Sequence, residues 1–291
     1  MSDHLPAFAQ DLIREGKRPL TLKSYLSDLR HFATWFQGTN GEALAPERIT
    51  LLDVRAYKAH LLTVRRLKPA TVNRRLAALS RYCRWAKEGG LMGQDPTAEV
   101  GGVRQVKAAP QALDRLELRR LLREVHKDEN RRDIALVEVL ANTGLRAGEL
   151  AALTLDDLEL SERKGRLTVR AGKGATYRVV PLNADARRAL RDYLEVRPQG
   201  PQTALFLGQR GNGLTPSGIW RVVKKYGGRA GLELSPHTLR HTFGTRLVRR
   251  KGIDLVTVAA MMGHASLDTT AIYTQPTEED MAEAVETLGV E

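Results

Sequence analysis

Six side chains in the second part of the chain sit in four short motifs: Arg146 in NTGLRAGEL, Lys173 in AGKGAT, His237 and Arg240 in SPHTLRHTFGT, and His264 and Tyr273 in MGHASLDTTAIYTQ. Singly, each has an ordinary structural explanation. An arginine after a glycine turn is usually solvated or paired, and a lysine between glycines usually tips a hairpin. A tyrosine on an amphipathic stretch is usually core. Together the six suit phosphoryl transfer without a metal. Arginine stays protonated and donates paired hydrogen bonds that match phosphate oxygens. Histidine and lysine move protons, and tyrosine can act as a nucleophile. His237 and His241 have the i, i+4 spacing of a zinc pair, but the metalloprotease pattern needs Glu where Thr238 stands. Cys83 is the single cysteine, and no G-x-x-x-x-G-K-[ST] loop occurs. Neither a metal nor a nucleotide cofactor is expected.

The charge of the chain points to its substrate class. Lys and Arg number 46 against 34 Asp and Glu, giving a formal net charge of +12 over 291 residues. That excess is the footprint of a nucleic-acid binder. It is spread over both parts, with 17 basic and 10 acidic residues in 1–104 and 29 and 24 in the remainder. No apolar run approaches the roughly 20 residues that span a bilayer, and the N-terminus lacks the apolar core of a signal peptide. A cytoplasmic protein is expected.

Such a length predicts two domains. In residues 1–104 the apolar spacing predicts a small helical bundle. One helix runs from a cap at Thr21 to Gly38, the second covers TLLDVRAYKAHLLTVRR, and the third begins at Pro69 and stops at Gly89-Gly90. The stretch 99–113 reads as a linker, with the domain break at 105–113. From 114 onward, helices are expected at 114–126, 131–142, 183–196, 216–228, 236–251 and 254–262. Between them LEL, RLTVR and YRVVPL read as three short strands.

TGLRAGEL, HTLRHTFGT and MGHASLDTTAIYT, in this order, resemble the tyrosine recombinase (phage integrase) family, and the resemblance covers nearly the whole chain. It implies a mainly α protein of two domains. Residues 1–104 resemble the SAM-like core-binding domain. Residues 114–291 resemble an α+β catalytic domain with a small three-stranded antiparallel sheet. It implies a site-specific recombinase that cuts and rejoins double-stranded DNA through a 3′-phosphotyrosine on Tyr273. Arg146, Arg240 and His264 would hold the phosphate, Lys173 would protonate the leaving 5′-oxygen, and His237 would move the tyrosine proton. Glu149 would orient Arg146 and His237. Met262 stands where leucine commonly precedes the Gly-His pair, a harmless departure.

An arm-binding domain before the helical bundle is not expected, and the chain is most like the compact Xer-type recombinases. A mobile-element integrase, a type IB topoisomerase and a catalytically silent DNA-binding regulator are the alternatives. Arg74, Arg75, Arg81 and Arg84 on the third helix, and Arg221, Lys224 and Lys225 on the 216–228 helix, are candidate DNA contacts. The tail 277–291 reads as an amphipathic helix. By resemblance it docks on a neighbouring protomer, in a homo-tetramer or a hetero-tetramer with a paralogue.

Overall fold

The computed structural model describes residues 4–105, 112–170, 177–250, 253–264, 266–271, 273, 274 and 285. Lys173 lies outside the described residues, as does the tail from 275 except Val285. The chain divides into two compact units, Met1–Lys107 and Ala108–Glu291. Among the described residues no helix is long and apolar enough to cross a membrane.

The first unit has four helices: α1 (Leu5–Arg14), α2 (Pro19–Asn40), α3 (Leu51–Thr63) and α4 (Pro69–Glu88). Helix α2 begins two residues before the expected cap at Thr21, because Pro19 has the helical φ built in and lacks the N–H that a first turn leaves unpaired. It runs through Gly38 and stops at Gly41, which takes the left-handed conformation at φ +74°. Thr50 caps α3 by a reciprocal box with Asp53. The helix ends at Thr63, short of Arg65-Arg66, and Arg66 turns to φ +47°. Phe8, Phe32, Phe36, Tyr57 and Tyr82 fill the core, with Phe32 and Tyr57 edge to face at 4.9 Å. The start of the expected linker is fastened to this unit. Asn73 binds both backbone groups of Val103 at 2.7 and 2.8 Å, and Lys58 donates to the Gly101 carbonyl at 2.6 Å.

The second unit contains α5 (Arg115–Lys127), α6 (Arg131–Thr143), α7 (Ala147–Ala152), β1 (Leu158–Leu160), β2 (Gly165–Arg170), β3 (Tyr177–Pro181), α8 (Ala184–Val196), α9 (Pro216–Arg229), α10 (Pro236–Val248), α11 (Leu255–Met262) and α12 (Asp268–Ala271). Helix α6 is the axle. Every residue from Ala135 to Ala141 is buried, and α5, α8 and α10 pack around it. Each leucine or valine buried there contributes about 1.5–3 kcal/mol. The three strands form one antiparallel sheet in the order β1-β2-β3, with Leu167 opposite Leu158 and Val180. Leu167, Val169 and Val180 face the core. The alternation that buries Val180 also turns Arg178, two residues earlier on β3, toward the inner side.

Candidate active site

Gly144 ends α6 at φ +63°, and a Cβ there would sit 2.4 Å from the Phe243 ring. This tight turn delivers Arg146 to the first position before α7. The Arg146 backbone N–H donates to Glu149 at 2.8 Å and its guanidinium to the same carboxylate at 2.9 Å. Its side chain is 48% exposed, so part of the fork stays open.

Ser235 caps α10 and Pro236 occupies its first turn, which sets His237 and Arg240 on adjacent turns. Arg240 is 2% exposed. It donates to the carbonyls of Gly144 at 2.6 Å and Met262 at 2.7 Å. Those carbonyls lie at the C-terminal ends of α6 and α11, where helix dipoles favour a cation. Burial, and then the nearby Arg146, still lower the Arg240 guanidinium to about 10. Two close cations, one half open and one buried, face the single charge of Glu149, which leaves the positive charge in excess.

Gly263 closes α11 at φ +66° and delivers His264, whose Nδ1 meets the Thr270 hydroxyl at 2.7 Å. Tyr273 is 5% exposed and packs among Phe243, Val258 and Met262. Its ring lies nearly parallel to that of His264, with centroids 6.1 Å apart, and 5.3 Å from that of His241. Burial raises the Tyr273 hydroxyl above its ordinary value, opposed by Arg240 and Arg146. Gly244 makes room for it: a Cβ there would stand 2.8 Å from the tyrosine Cζ. Gly244→Ala is therefore expected to push the ring aside by a few tenths of an ångström or more. With Tyr273 as the nucleophile that the resemblance implies, strand cleavage should fall on the order of 10²-fold, the usual cost of misplacing a reacting group. Single-turnover cleavage with unchanged DNA affinity would show it.

His237 and His241 approach through their Nε2 atoms at 2.8 Å. One must donate and the other accept, so neutral rings carry complementary tautomers. His241 Nδ1 is buried without a hydrogen-bond partner. An unpaired acceptor costs less than an unpaired donor, which places the His241 proton on Nε2, donated to His237. Burial, then His237 and Arg240, hold His241 at about 4; burial and the surrounding arginines hold His264 at about 4 as well. His237 is lowered in the same direction, first by burial. The unfolded chain therefore takes up protons near the ordinary value of 6.5 while the folded chain does not. Stability should be fully present above about 6.5 and decline as pH falls toward 4. Thermal melting between pH 7.5 and 4.5 checks this, and a flat profile would refute it.

Arg146, His237 and Arg240 also line one cavity of about 790 Å³, with Trp220, Arg221 and Pro236 on its other walls. Arg221 thus joins the site. Lys224 lies over the Trp220 ring at 5.5 Å, whereas Lys225 is held by Asp128 at 2.6 Å. In the first unit Arg84 is exposed. Arg74 and Arg75 flank the buried Asp28, and Arg81 pairs with Asp11 and Glu15. Among the described residues no group of three or more His, Cys, Asp or Glu is placed to hold a metal ion.

One expected contact takes a different form. Glu149 orients Arg146, but the His237 ring bonds to His241 and not to Glu149. The second partner of Glu149 is Arg178, which donates to both carboxylate oxygens at 3.1 and 2.8 Å. Motif spacing missed Arg178 and Trp220, and weighed His241 only as half of a zinc pair with His237. Arg178 had a detectable signal: a cation at an inward position of a strand, where the alternation of YRVVP calls for an apolar residue.

Comparison with known proteins gives the family independently of this geometry. The model of the phage integrase family matches residues 111–280, and that of the phage integrase N-terminal SAM-like domain matches residues 5–90. Tyrosine recombinase XerD of Listeria monocytogenes is 33% identical over 289 residues, covering 96% of this chain and 95% of the relative. Tyrosine recombinase XerC of Roseiflexus castenholzii is 34% identical over 286 residues, covering 94% and 89%. Among solved structures, the XerH site-specific recombinase bound to palindromic difH substrate superposes with a TM-score of 0.75 at 25% identity, over 92% of this chain and 79% of that one. A lambda integrase dimer bound to a COC′ core site shares the fold, with a TM-score of 0.74 at 19% identity over 93% and 94%. With both domain models matched in order and relatives above 30% identity over most of the chain, the chain belongs to the phage integrase family, as a Xer-type tyrosine recombinase that carries out site-specific recombination.

Proposed function

We propose that the chain cuts double-stranded DNA by attack of Tyr273 Oη on a phosphodiester. The P–O bond to the 5′-oxygen breaks and a 3′-phosphotyrosine forms. In religation a 5′-hydroxyl attacks that phosphorus and expels the tyrosine. The phosphodiester bond energy stays in the protein–DNA link, so the step needs no ATP. The observation carrying this reading is that Arg146 and Arg240 act electrostatically on both His264 and Tyr273, while with Arg178 they set three guanidinium groups against the one carboxylate of Glu149. Arg146 and Arg240 hold the non-bridging oxygens as negative charge builds, and His264, neutral at working pH, donates one more hydrogen bond. The His237–His241 pair accepts the tyrosine proton. Lys173 protonates the departing 5′-oxygen. Arg84, Arg221 and Lys224, with Arg74, contact backbone phosphates, while Arg75, Arg81 and Lys225 hold those helices in place through their ion pairs.

The reaction we favour is resolution of DNA dimers in the cytoplasm by a tetramer on two sites. The tail 277–291 carries six carboxylates and no lysine or arginine. A groove of about 1220 Å³ between α5, α6 and α10 presents Arg115, Arg119 and Arg246 beside Leu116 and Leu122. That mixture of charge and apolar surface suits the tail of a second copy. Deleting 277–291 should leave single-protomer binding intact and weaken assembly on paired sites, as read by sedimentation; unchanged assembly would sink this part.

The products formed on a plasmid with two copies of the target site decide the activity. Excised circles support recombination. Relaxed plasmid without exchange would make the chain a topoisomerase. Unaltered plasmid with bound protein would make it a DNA-binding regulator.

A further inference from the structure

Glu149 is bound by two arginines of different character. Arg146 is about half exposed and opens into the cavity that holds His237 and Arg240. Arg178 is mostly buried, with 17% of its side chain exposed, and donates to both oxygens of the carboxylate. Its Nε donates in addition to the Met261 carbonyl at 3.0 Å, two residues before Gly263. A Cβ on Gly263 would stand 2.6 Å from the Arg178 Nη1, so the glycine of the Gly-His pair leaves space for this guanidinium. One side chain therefore ties β3 to the carboxylate behind Arg146 and to the turn that carries His264. A lone Glu149 opposite a lone Arg146 would be a closed ion pair, with its charge spent. A second cation behind the carboxylate changes that balance. Burial alone would raise the Glu149 carboxyl, but hydrogen bonds from Arg178 and from the Arg146 backbone hold it below its ordinary value.

We propose that Arg178 is a positioning residue for strand cleavage: it takes up the charge of Glu149 from the buried side, so that Arg146 is oriented by that carboxylate yet keeps its charge for the scissile phosphate. The proposal rests on the recombinase reading above. It acts through Arg146, so it predicts a defect in the chemical step rather than in DNA affinity. It also predicts that removing the carboxylate charge relieves the loss of Arg178.

The test compares wild type, Arg178→Gln, Arg178→Lys and Glu149→Gln/Arg178→Gln on a nicked synthetic duplex carrying the site recovered from covalent adducts. Single-turnover cleavage at saturating protein, the Kd for the duplex and the melting temperature are read side by side, with Tyr273→Phe as the blank. Arg178→Gln should cleave about 10–100-fold more slowly, the usual cost of losing such a supporting contact, with Kd within about three-fold. The double variant should recover much of that loss. Arg178→Lys, which keeps the charge and loses the fork, should fall between wild type and Arg178→Gln. A wild-type rate in Arg178→Gln would overturn the proposal. So would a double variant slower than the single one, because a purely structural contact is not repaired by removing its partner. If wild type cleaves no better than Tyr273→Phe, the recombinase reading fails first and this proposal with it.

Discussion

Tyr273→Phe is expected to abolish covalent capture of DNA, lowering strand cleavage by ~10⁴-fold or more, as when a covalent nucleophile is deleted. The ring contacts that hold the residue would survive. Phenylalanine keeps the packing against Phe243, Val258 and Met262 and the near-parallel placement on His264. Burial raises the Tyr273 hydroxyl, so at rest it is neutral and its removal disturbs no ion pair. Binding to DNA and thermal stability should stay at wild-type levels. Cleavage measured under single-turnover conditions, beside a binding isotherm, separates the two. A variant that still forms adducts would show that another group attacks the phosphate.

Arg240→Met should have the second largest effect, a loss of about 10³-fold in cleavage, as for removal of a donor preorganised for a developing negative charge. Stability should change far less, and the reason lies in the same burial. Arg240 binds the carbonyls of Gly144 and Met262, and losing those bonds costs about 1–3 kcal/mol for each carbonyl left unpaired. Yet burial and Arg146 lower the guanidinium to about 10, so the fold bears an opposing cost on the order of 3 kcal/mol to keep it charged. The two terms nearly offset. A melting temperature within a few degrees of wild type, with cleavage almost gone, is the expected pair of results. Unfolding of the variant would mean that the arginine serves the fold more than the phosphate.

The helices were legible because their signals are local. Ser235-Pro236 and Thr50 with Asp53 mark helix starts, and the leucine and alanine spacing marks buried faces. The three strands followed from a change of period around the glycine-rich turn. Two site residues follow a turn that needs a special backbone, Arg146 after Gly144 and His264 after Gly263, and His237 and Arg240 follow the Ser235-Pro236 helix start. What stayed hidden are the partners. Arg178 reaches Met261 across 83 residues and Arg240 reaches Gly144 across 96. No local pattern reports such distances. The same holds for Arg81, which reads as part of a basic helical face until Asp11 and Glu15 are seen beside it.

The central claim is that Tyr273 itself becomes linked to DNA. Cells expressing the wild-type protein can be denatured rapidly, the protein–DNA adducts isolated and digested, and the modified peptide identified by mass spectrometry. The account predicts a nucleotide attached through its 3′-phosphate to Tyr273, within the peptide that follows Gly263-His264. A phosphate on any other residue, or adducts of equal yield from Tyr273→Phe, would contradict it.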